Sequence, residues 1–542
     1  MTQASAQVAA PTRDPKWWTL TAVCLGVFML LLDITIVNVA LPDIQTELDA
    51  TLSDLQWVID AYALSLAALL LTAGSLADLF GRRRVFVIGL VVFTVGSVAC
   101  GAAQDIFFLQ ISRAFQGIGG AAMFATALAL LAAAFHGKDR GTAFGVFGAT
   151  TGVAVAIGPV LGGALTSGLS WRWIFFVNVP ICLVALAVSL LKVVESKDPH
   201  AGRPDWIGFV TFSLSLGALV YGLIEAGKDG WGEQRVVLSL IASAVLLVAF
   251  VISQLLQKQP MFDLSLLRKP TFTGGLVAAF GVSASIFSLL TYLVIYVQNV
   301  LGYSAVDTGL RFLYLSGASF VAAAIAGRLS ERVPVKWLIA PGFFVLGVGL
   351  LLLNGIQDDS SWTHLIPGMI VAGLGIGMIN PPLASTAVGV VPVARAGMAS
   401  GVNSTFRQVG IATGIATLGS IFSQQVSDAV RPALAPKVPP QALDGLTAAL
   451  SGGQVQPAAS GAQAAATQQG GPSAGHQAYD LVHSVGTSAV VDALNHITTI
   501  ATVTAFVAGV LTLILIRQKD FVDRSAQGQG APDSEETTAP LG

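Results

Sequence analysis

The chain has 542 residues, of which 54% are hydrophobic and 11% charged, and a mean hydropathy of +0.74; a soluble globular domain carries roughly 25% charged residues. These proportions exclude an ordinary soluble fold and point to a membrane protein. The formal net charge of −2, from 28 basic and 30 acidic residues, gives no basic surface for a nucleic-acid partner, and three cysteines inside apolar runs (Cys24, Cys100, Cys182) suggest neither disulfides nor a metal site.

A polar stretch of sixteen residues opens the chain. The apolar run after it is longer than a signal h-region and lacks a small-residue cleavage site, so it is expected to remain as a first span. A bilayer core about 30 Å thick needs roughly 20 apolar residues in a helix. Fourteen such runs are found, at about 17–41, 55–77, 85–103, 106–134, 142–167, 172–193, 206–226, 236–256, 271–301, 308–327, 335–354, 364–391, 399–424 and 494–517. The expectation is an all-α membrane protein with 14 transmembrane helices, arranged as two six-helix lobes plus an inserted helix pair. The parts are a tail at 1–16, a lobe at 17–193, a linker with the inserted pair at 194–270, a lobe at 271–517 and a tail at 518–542. With the N-terminus inside, twenty basic residues fall in inner segments and five in outer ones, so both termini are expected in the cytoplasm of a multi-pass plasma-membrane protein.

Taken in chain order, the polar residues inside these runs are the candidate sites. Asp33 lies in the middle of span 1, where a carboxylate is costly unless it meets a partner, a water-filled cavity or a proton. Asp60, nearer the outer end of span 2, is a second candidate, or an acid that simply reaches water. The stretch "GSLADLFGRRRV" (74–85) follows. Gly74 and Asp78 share a helix face, and Asp78 can meet either backbone N–H groups at a helix start or an arginine. Gly81 supports a sharp turn. Arg82, Arg83 and Arg84 can pair with acids across a lobe boundary or with anionic lipid, and they also set topology. The spacing favours a gating latch over topology alone.

On span 4, Arg113, Gln116, Gly117 and Gly120 fall on one helical stripe, a buried cation and an amide beside small residues. Arg113 bonded to carbonyls of a neighbouring helix is the structural alternative. Span 5 carries Gly145, Gly148, Gly152, Gly158, Pro159, Gly162 and Gly163, which favours a pliable, closely packed interface between lobes. Tyr292, Tyr296, Gln298 and Asn299 on span 9 and Asn380 on span 12 can line a substrate cavity with Gln116, or serve ordinary packing. The outer segment 425–493 is rich in Ala, Gln, Gly, Pro and Ser, and most of it is expected to be disordered, as a tether or a lid, with "HSVGTSAVVDALN" a possible surface helix. A repeat links "AGSLAD" (73–78) to "AGRLSE" (326–331), each after the second span of a six-span block, a duplication that two-lobed transporters show.

These motifs together resemble the major facilitator superfamily, in its fourteen-span drug:proton antiporter branch. "GSLADLFGRRR" is similar to its loop signature, "LDITIVNVALP" (32–42) to the first-span signature, "RAFQGIGGA" (113–121) to the fourth-span motif, "GVAVAIGPVLGG" (152–163) to the fifth-span antiporter motif and "WRWIFFVNVP" (171–180) to the entry of span six. The second lobe matches through "YVQNVLGYSAVDTGL" (296–310) and "NSTFRQVGIATG" (403–414). The resemblance implies proton coupling through Arg113 and export rather than uptake. The chain holds no P-loop, paired-histidine or GxSxG element, so no enzyme and no cofactor is expected. The reading is a monomeric, proton-driven multidrug efflux antiporter, in contact with membrane lipids, for hydrophobic and often cationic small molecules. The alternatives are export of an endogenous metabolite or lipid, or a non-transporting sensor.

Overall fold

The computed structural model describes residues 15–48, 50, 52–135, 139–197, 205–257, 260, 262–330, 332–391 and 396–521, and all regular structure among them is helical. Both distal tails, Glu331 of the repeat and the side chains of Asp60 and Pro159 lie outside the described residues. The first block comprises α1 (Pro15–Glu47), α2 (Leu52–Phe80), α3 (Arg82–Gly101), α4 (Ile106–Ala134), α5 (Asp139–Gly168), a single turn α6 (Trp173–Phe176) and α7 (Asn178–Lys192). The inserted pair is α8 (Trp206–Asp229) and α9 (Gln234–Leu256). The second block begins with α10 (Pro270–Val282) and α11 (Ser288–Ile295), continuous through π-helical turns at Ser283–Phe287 and Tyr296–Val300. It continues with α12 (Ala305–Leu329), α13 (Lys336–Leu353), α14 (Leu365–Gly389), α15 (Ala396–Leu434), α16 (Pro440–Ser451) and α17 (Val455–Leu515).

Every one of the fourteen apolar runs falls on these helices. Ten helical stretches among the described residues are long and apolar enough to cross a bilayer, or eleven if a bent pair in α2 counts as one span. Helix starts carry local signals. Asp105 accepts from the Phe108 N–H (2.8 Å) before α4, Asp205 from the Gly208 N–H (2.6 Å) before α8, and Ser304 from the Asp307 N–H (3.1 Å) before α12. Outward faces remain apolar, as lipid requires: Ile88, Val91, Val95 and Val98 form an exposed stripe along α3.

Two cores result, one within α1–α7 and one within α10–α17. Two seams join the blocks, α2 against α15 and α5 against α12, so the second helix of each block packs on the fifth of the other. Gly327, in the second copy of the repeat, faces Gly145 backbone to backbone. The inserted α8 packs on both α2 and α15, with Ala67, Leu216 and Val409 in one apolar cluster.

The expected disorder of 425–493 is overturned. Helix α15 runs to Leu434, α16 follows, and α17 begins at Val455, kinked at Gly471, whose φ of 79° precedes Pro472. Leu434, Leu450, Val455, Ala459 and Val482 are fully buried in the second core, and the Asn495 side chain accepts the N–H groups of Gly355 and Ile356, both at 3.0 Å. The composition cannot build a core of its own, but alanine is the best helix former, and a helix needs only one buried stripe.

At one end of the first block, Trp171 donates to Glu47 (2.7 Å), which also pairs with Arg172. The Arg172 hydrogen bond holds the Glu47 carboxyl below its usual range. This half-exposed tie is complete above the ordinary carboxylate range and is lost as pH falls through the lowered value, a small contribution.

Close packing between α3 and α4 yields a stability prediction. A methyl group at Gly119 would fall on the Phe93 backbone nitrogen and 2.7 Å from the Gly89 oxygen, whereas at Gly168 it meets nothing within 4 Å. Gly119→Ala is expected to cost about 1–3 kcal/mol and to lower the Tm of the purified protein; Gly168→Ala is expected to leave Tm unchanged.

Candidate functional site

Five helices of the first block converge on one buried polar cluster. Asp33 on α1 is 0% exposed and Arg113 on α4 is 1% exposed, so neither charge meets water. Arg113 Nη1 donates to Asp33 Oδ2 at 2.5 Å and to Gln116 Oε1 at 2.7 Å, while its Nε donates to the Val58 carbonyl of α2 at 3.1 Å. The other carboxylate oxygen of Asp33 accepts from Gln116 Nε2 and Asn178 Nδ2, both at 3.0 Å. Ser97 on α3 accepts from Gln116 (2.8 Å) and Asn178 (3.3 Å). The Tyr62 ring of α2 covers the guanidinium, 4.2 Å from its carbon, a cation–π contact that adds to the charge pairing.

Two atoms are left over. Tyr62 Oη and Asn178 Oδ1 are buried without a hydrogen-bond partner, so the cluster holds unused polar capacity next to a carboxylate. Such a pair is stable only while both charges persist, because removing one strands the other at a cost of about 3–5 kcal/mol. Besides Asp33, Arg113 already has two neutral acceptors in reach, Gln116 Oε1 and the Val58 carbonyl.

Asp33, Arg113 and Gln116 thus belong together, and Gln116 belongs to this cluster rather than to a substrate cavity. Asn178, Ser97 and Tyr62 were not among the residues singled out from sequence. An asparagine inside the apolar run 172–193 is the signal that marks Asn178, by the same rule that marks Asp33.

The motif at 74–85 forms a second cluster. Asp78, buried, accepts from Arg82 Nε (3.0 Å) and Nη2 (2.8 Å) through one oxygen, and from the Met398 N–H in the first turn of α15 (2.6 Å) through the other. Both expected kinds of partner are present at once, and the second joins the two blocks. Gly74 is buried and Gly81 turns the chain with a φ of 111°. A side chain at Gly81 would also strike the Glu195 carboxylate, which accepts the Arg83 and Arg84 N–H groups (3.0 and 3.2 Å) and so caps α3. Arg82 pairs with Asp78 in its own block, and Arg84 with Glu195 in the segment that follows α7. At the same end, Arg140 donates to the Ser385 carbonyl of α14 (3.0 Å), a further link between blocks.

Along α5, Gly152 lies against Ser316 and Ser319 of α12, Gly158 against Thr35 of α1, and Gly163 against Val306, 2.5 Å from where a Cβ would be; Gly162 is buried. Helix α5 is therefore held between its own block and the other. Between the blocks lies a small cavity lined by Thr151, Gly152, Phe287, Leu290, Leu315, Ser316, Ser319, Ile376 and Asn380. Asn380 is one of these lining residues. Tyr292, Tyr296, Gln298 and Asn299 do not line this cavity: Tyr292 donates to the Ile415 carbonyl (2.9 Å) and stacks near Phe422, and Tyr296 is buried in the second core. The π-helical turns around α11 rotate its face, so that Phe287 and Leu290 point to the cavity instead.

Comparison with known proteins accords with this architecture. The chain is 38% identical over 422 residues, 78% of each chain, to the multidrug resistance protein Stp of Mycobacterium tuberculosis. It is 37% identical to the puromycin resistance protein pur8 of Streptomyces alboniger, over 75% of this chain and 82% of that one. It is 32% identical to the tetracenomycin C resistance and export protein of Streptomyces glaucescens, over 78% of each. The crystal structure of the human organic anion transporter MFSD10 shares the fold, with a TM-score of 0.56 at 15% identity, covering 75% of this chain and 94% of that one. Residues 23–415 match the family description itself, and the protein, a membrane transporter rather than an enzyme, belongs to the Major Facilitator Superfamily.

Proposed function

We propose that the protein is a proton-driven exporter of hydrophobic small molecules, working by alternating access of its two blocks about the cavity between them. The observation that carries this reading is the Asp33–Arg113 pair, sealed inside one block and bonded to neutral groups that can take over from either charge. A proton arriving at Asp33 releases Arg113 to Gln116 and Val58. The protonated acid then becomes a donor, and a turn of the Asn178 amide offers it the unpartnered oxygen. The drug-resistance names of the relatives support an exported cargo. The tetracenomycin C export protein supports a second reading, in which the cargo is a metabolite made by the cell.

For the expected cationic cargo, the Asp33 carboxylate is not an open partner in this geometry, because it is enclosed and already carries Arg113. We take the arrangement as fourteen spans, two six-helix lobes and the inserted pair α8–α9, acting as a monomer in the plasma membrane with both termini cytoplasmic. Asp78 then latches the inner end of the α2–α15 seam, and Asp60 remains the reserve candidate for coupling.

Four outcomes are expected. Asp33→Asn, which mimics the protonated acid, is expected to abolish uphill export in reconstituted vesicles while binding persists; cells expressing the wild type should tolerate a panel of toxic hydrophobic compounds, and a protonophore should remove that tolerance. Unchanged dependence of transport on the pH difference in Asp33→Asn would dismiss Asp33 as the coupling site, and an unaltered toxicity panel would dismiss the exporter reading. Asp78→Asn keeps size but weakens the tie to Arg82 and Met398, so turnover should fall several-fold more than substrate affinity; equal losses would indicate general misfolding. A cysteine at Gln468 should react with an impermeant thiol reagent on intact cells and one at Arg84 should not, and the reverse pattern would invert the orientation.

A further inference from the structure

A further intramembrane cation, half-buried, lies in the other block and, among the described residues, has no carboxylate partner. Arg407 lies on α15, eight residues into the apolar run that begins at 399, or about 12 Å along the helix. Its Nη2 donates to Asn380 Oδ1 at 2.8 Å, and among the described residues no acid lies within ion-pair reach of it. A guanidinium carries five N–H donors and a full charge, and an amide oxygen satisfies one donor and neutralises none of the charge. An ionised side chain at this depth is expensive unless it serves a polar pathway or a ligand. Arg113 meets that cost with Asp33; Arg407 does not.

The surroundings indicate what completes it. Asn380, the residue Arg407 holds, lines the cavity between the blocks, and among the described residues no charged residue lines that cavity. The walls are otherwise apolar (Phe287, Leu290, Ile376) or hydroxylic (Thr151, Ser316, Ser319). One and two turns earlier on the same face of α15, Asn403 Oδ1 and Ser400 Oγ are buried without partners, so the polar stripe that leads to Arg407 is also incomplete. Arg407 thus places a positive charge beside the cavity-lining Asn380, while the Asp33 carboxylate is enclosed in the first block with Arg113.

We propose that Arg407, positioned by Asn380, recognises an acidic group on the cargo, so that aromatic or otherwise apolar compounds carrying a carboxylate are preferred substrates. The carboxylate takes the free edge of the guanidinium, the arrangement in which arginine binds two oxygens at once, and the apolar body lies against Phe287 and Leu290. This rests on the exporter reading, and the two can fail separately.

The test uses purified protein in nanodiscs of uncharged phosphatidylcholine and two fluorescent probes of the same shape, pyrenebutyrate and its neutral amide, pyrenebutyramide. The wild type is expected to bind the acid at least about tenfold more tightly than the amide, a difference of about 1.4 kcal/mol. Arg407→Gln should erase that preference while leaving the affinity for the amide within about twofold, and Arg407→Lys should keep part of it. A role confined to packing α15 on α14 would not discriminate between the probes. Equal binding of acid and amide by the wild type, or an acid preference that survives in Arg407→Gln, overturns the proposal and needs no folded variant in the first case. Equal binding leaves an exporter of neutral compounds intact, whereas an unaltered toxicity panel removes the exporter reading and leaves the acid preference of the purified protein standing.

Discussion

A bilayer admits a charge only where another charge or a complete set of hydrogen bonds meets it, and the Asp33–Arg113 pair is where the first block satisfies that condition. Helix α1 supplies the acid and α4 the cation. The remaining groups come from α2, α3 and α7, which bring Val58 and Tyr62, Ser97 and Asn178. Each helix is thereby fixed in rotation as well as in position, because a turn of 100° would carry its polar residue into apolar surroundings. The apolar core around the cluster permits many packings of similar quality; the cluster permits one.

The seams between blocks follow a different rule. Lipid tails are as apolar as the helices, so association depends on close approach and on a few polar ties. Small residues supply the approach, as at Gly145 facing Gly327 and Gly152 facing Ser316 and Ser319. The ties gather at one end, where Asp78 meets the first turn of α15 and Arg140 meets the end of α14. A contact made of backbone edges and a few hydrogen bonds can be broken and remade with little repacking, unlike the filled cores on either side of it.

Much of this was legible in the sequence because the bilayer enforces simple rules. The lengths of the apolar runs located the helices, the isolated carboxylate marked Asp33, and the spacing of Gly74 and Asp78 marked the contact with α15. What was not legible depended on three-dimensional detail. Asn178 carries the same kind of signal as Asp33, a polar side chain inside an apolar run, but what it bonds to is settled only when the fold brings Asp33 to it. Tyr292 and Tyr296 have the period of a cavity face in an ideal helix, and the π-helical turns at Ser283–Phe287 and Tyr296–Val300 shift that period. The segment 425–493 was misjudged because composition reports whether a stretch can form its own core, not whether it can lay one stripe of Leu, Val and Ala on the core of a neighbour.

In the proposed cycle Arg113 and Arg407 divide the chemistry between the blocks. Arg113 is neutralised within its own block, so a proton reaching Asp33 alters bonds to α1, α2, α4 and α7 without any cargo present. On the proposed reading Arg407 is left to the cavity, so cargo would be sensed by α14 and α15. If an acidic group fills that place, proton and cargo do not compete for one charge; they act on different blocks and communicate through the seams that join them. The electrical consequence runs in the same direction. An anion leaving a cell whose interior is negative moves down the membrane potential, which contributes roughly 2.3 kcal/mol per charge for each 100 mV, and a proton entering does likewise. Export of an acid through this fold would thus draw on the potential twice in each cycle, whereas a monovalent cation exchanged for one proton would draw on the pH difference alone.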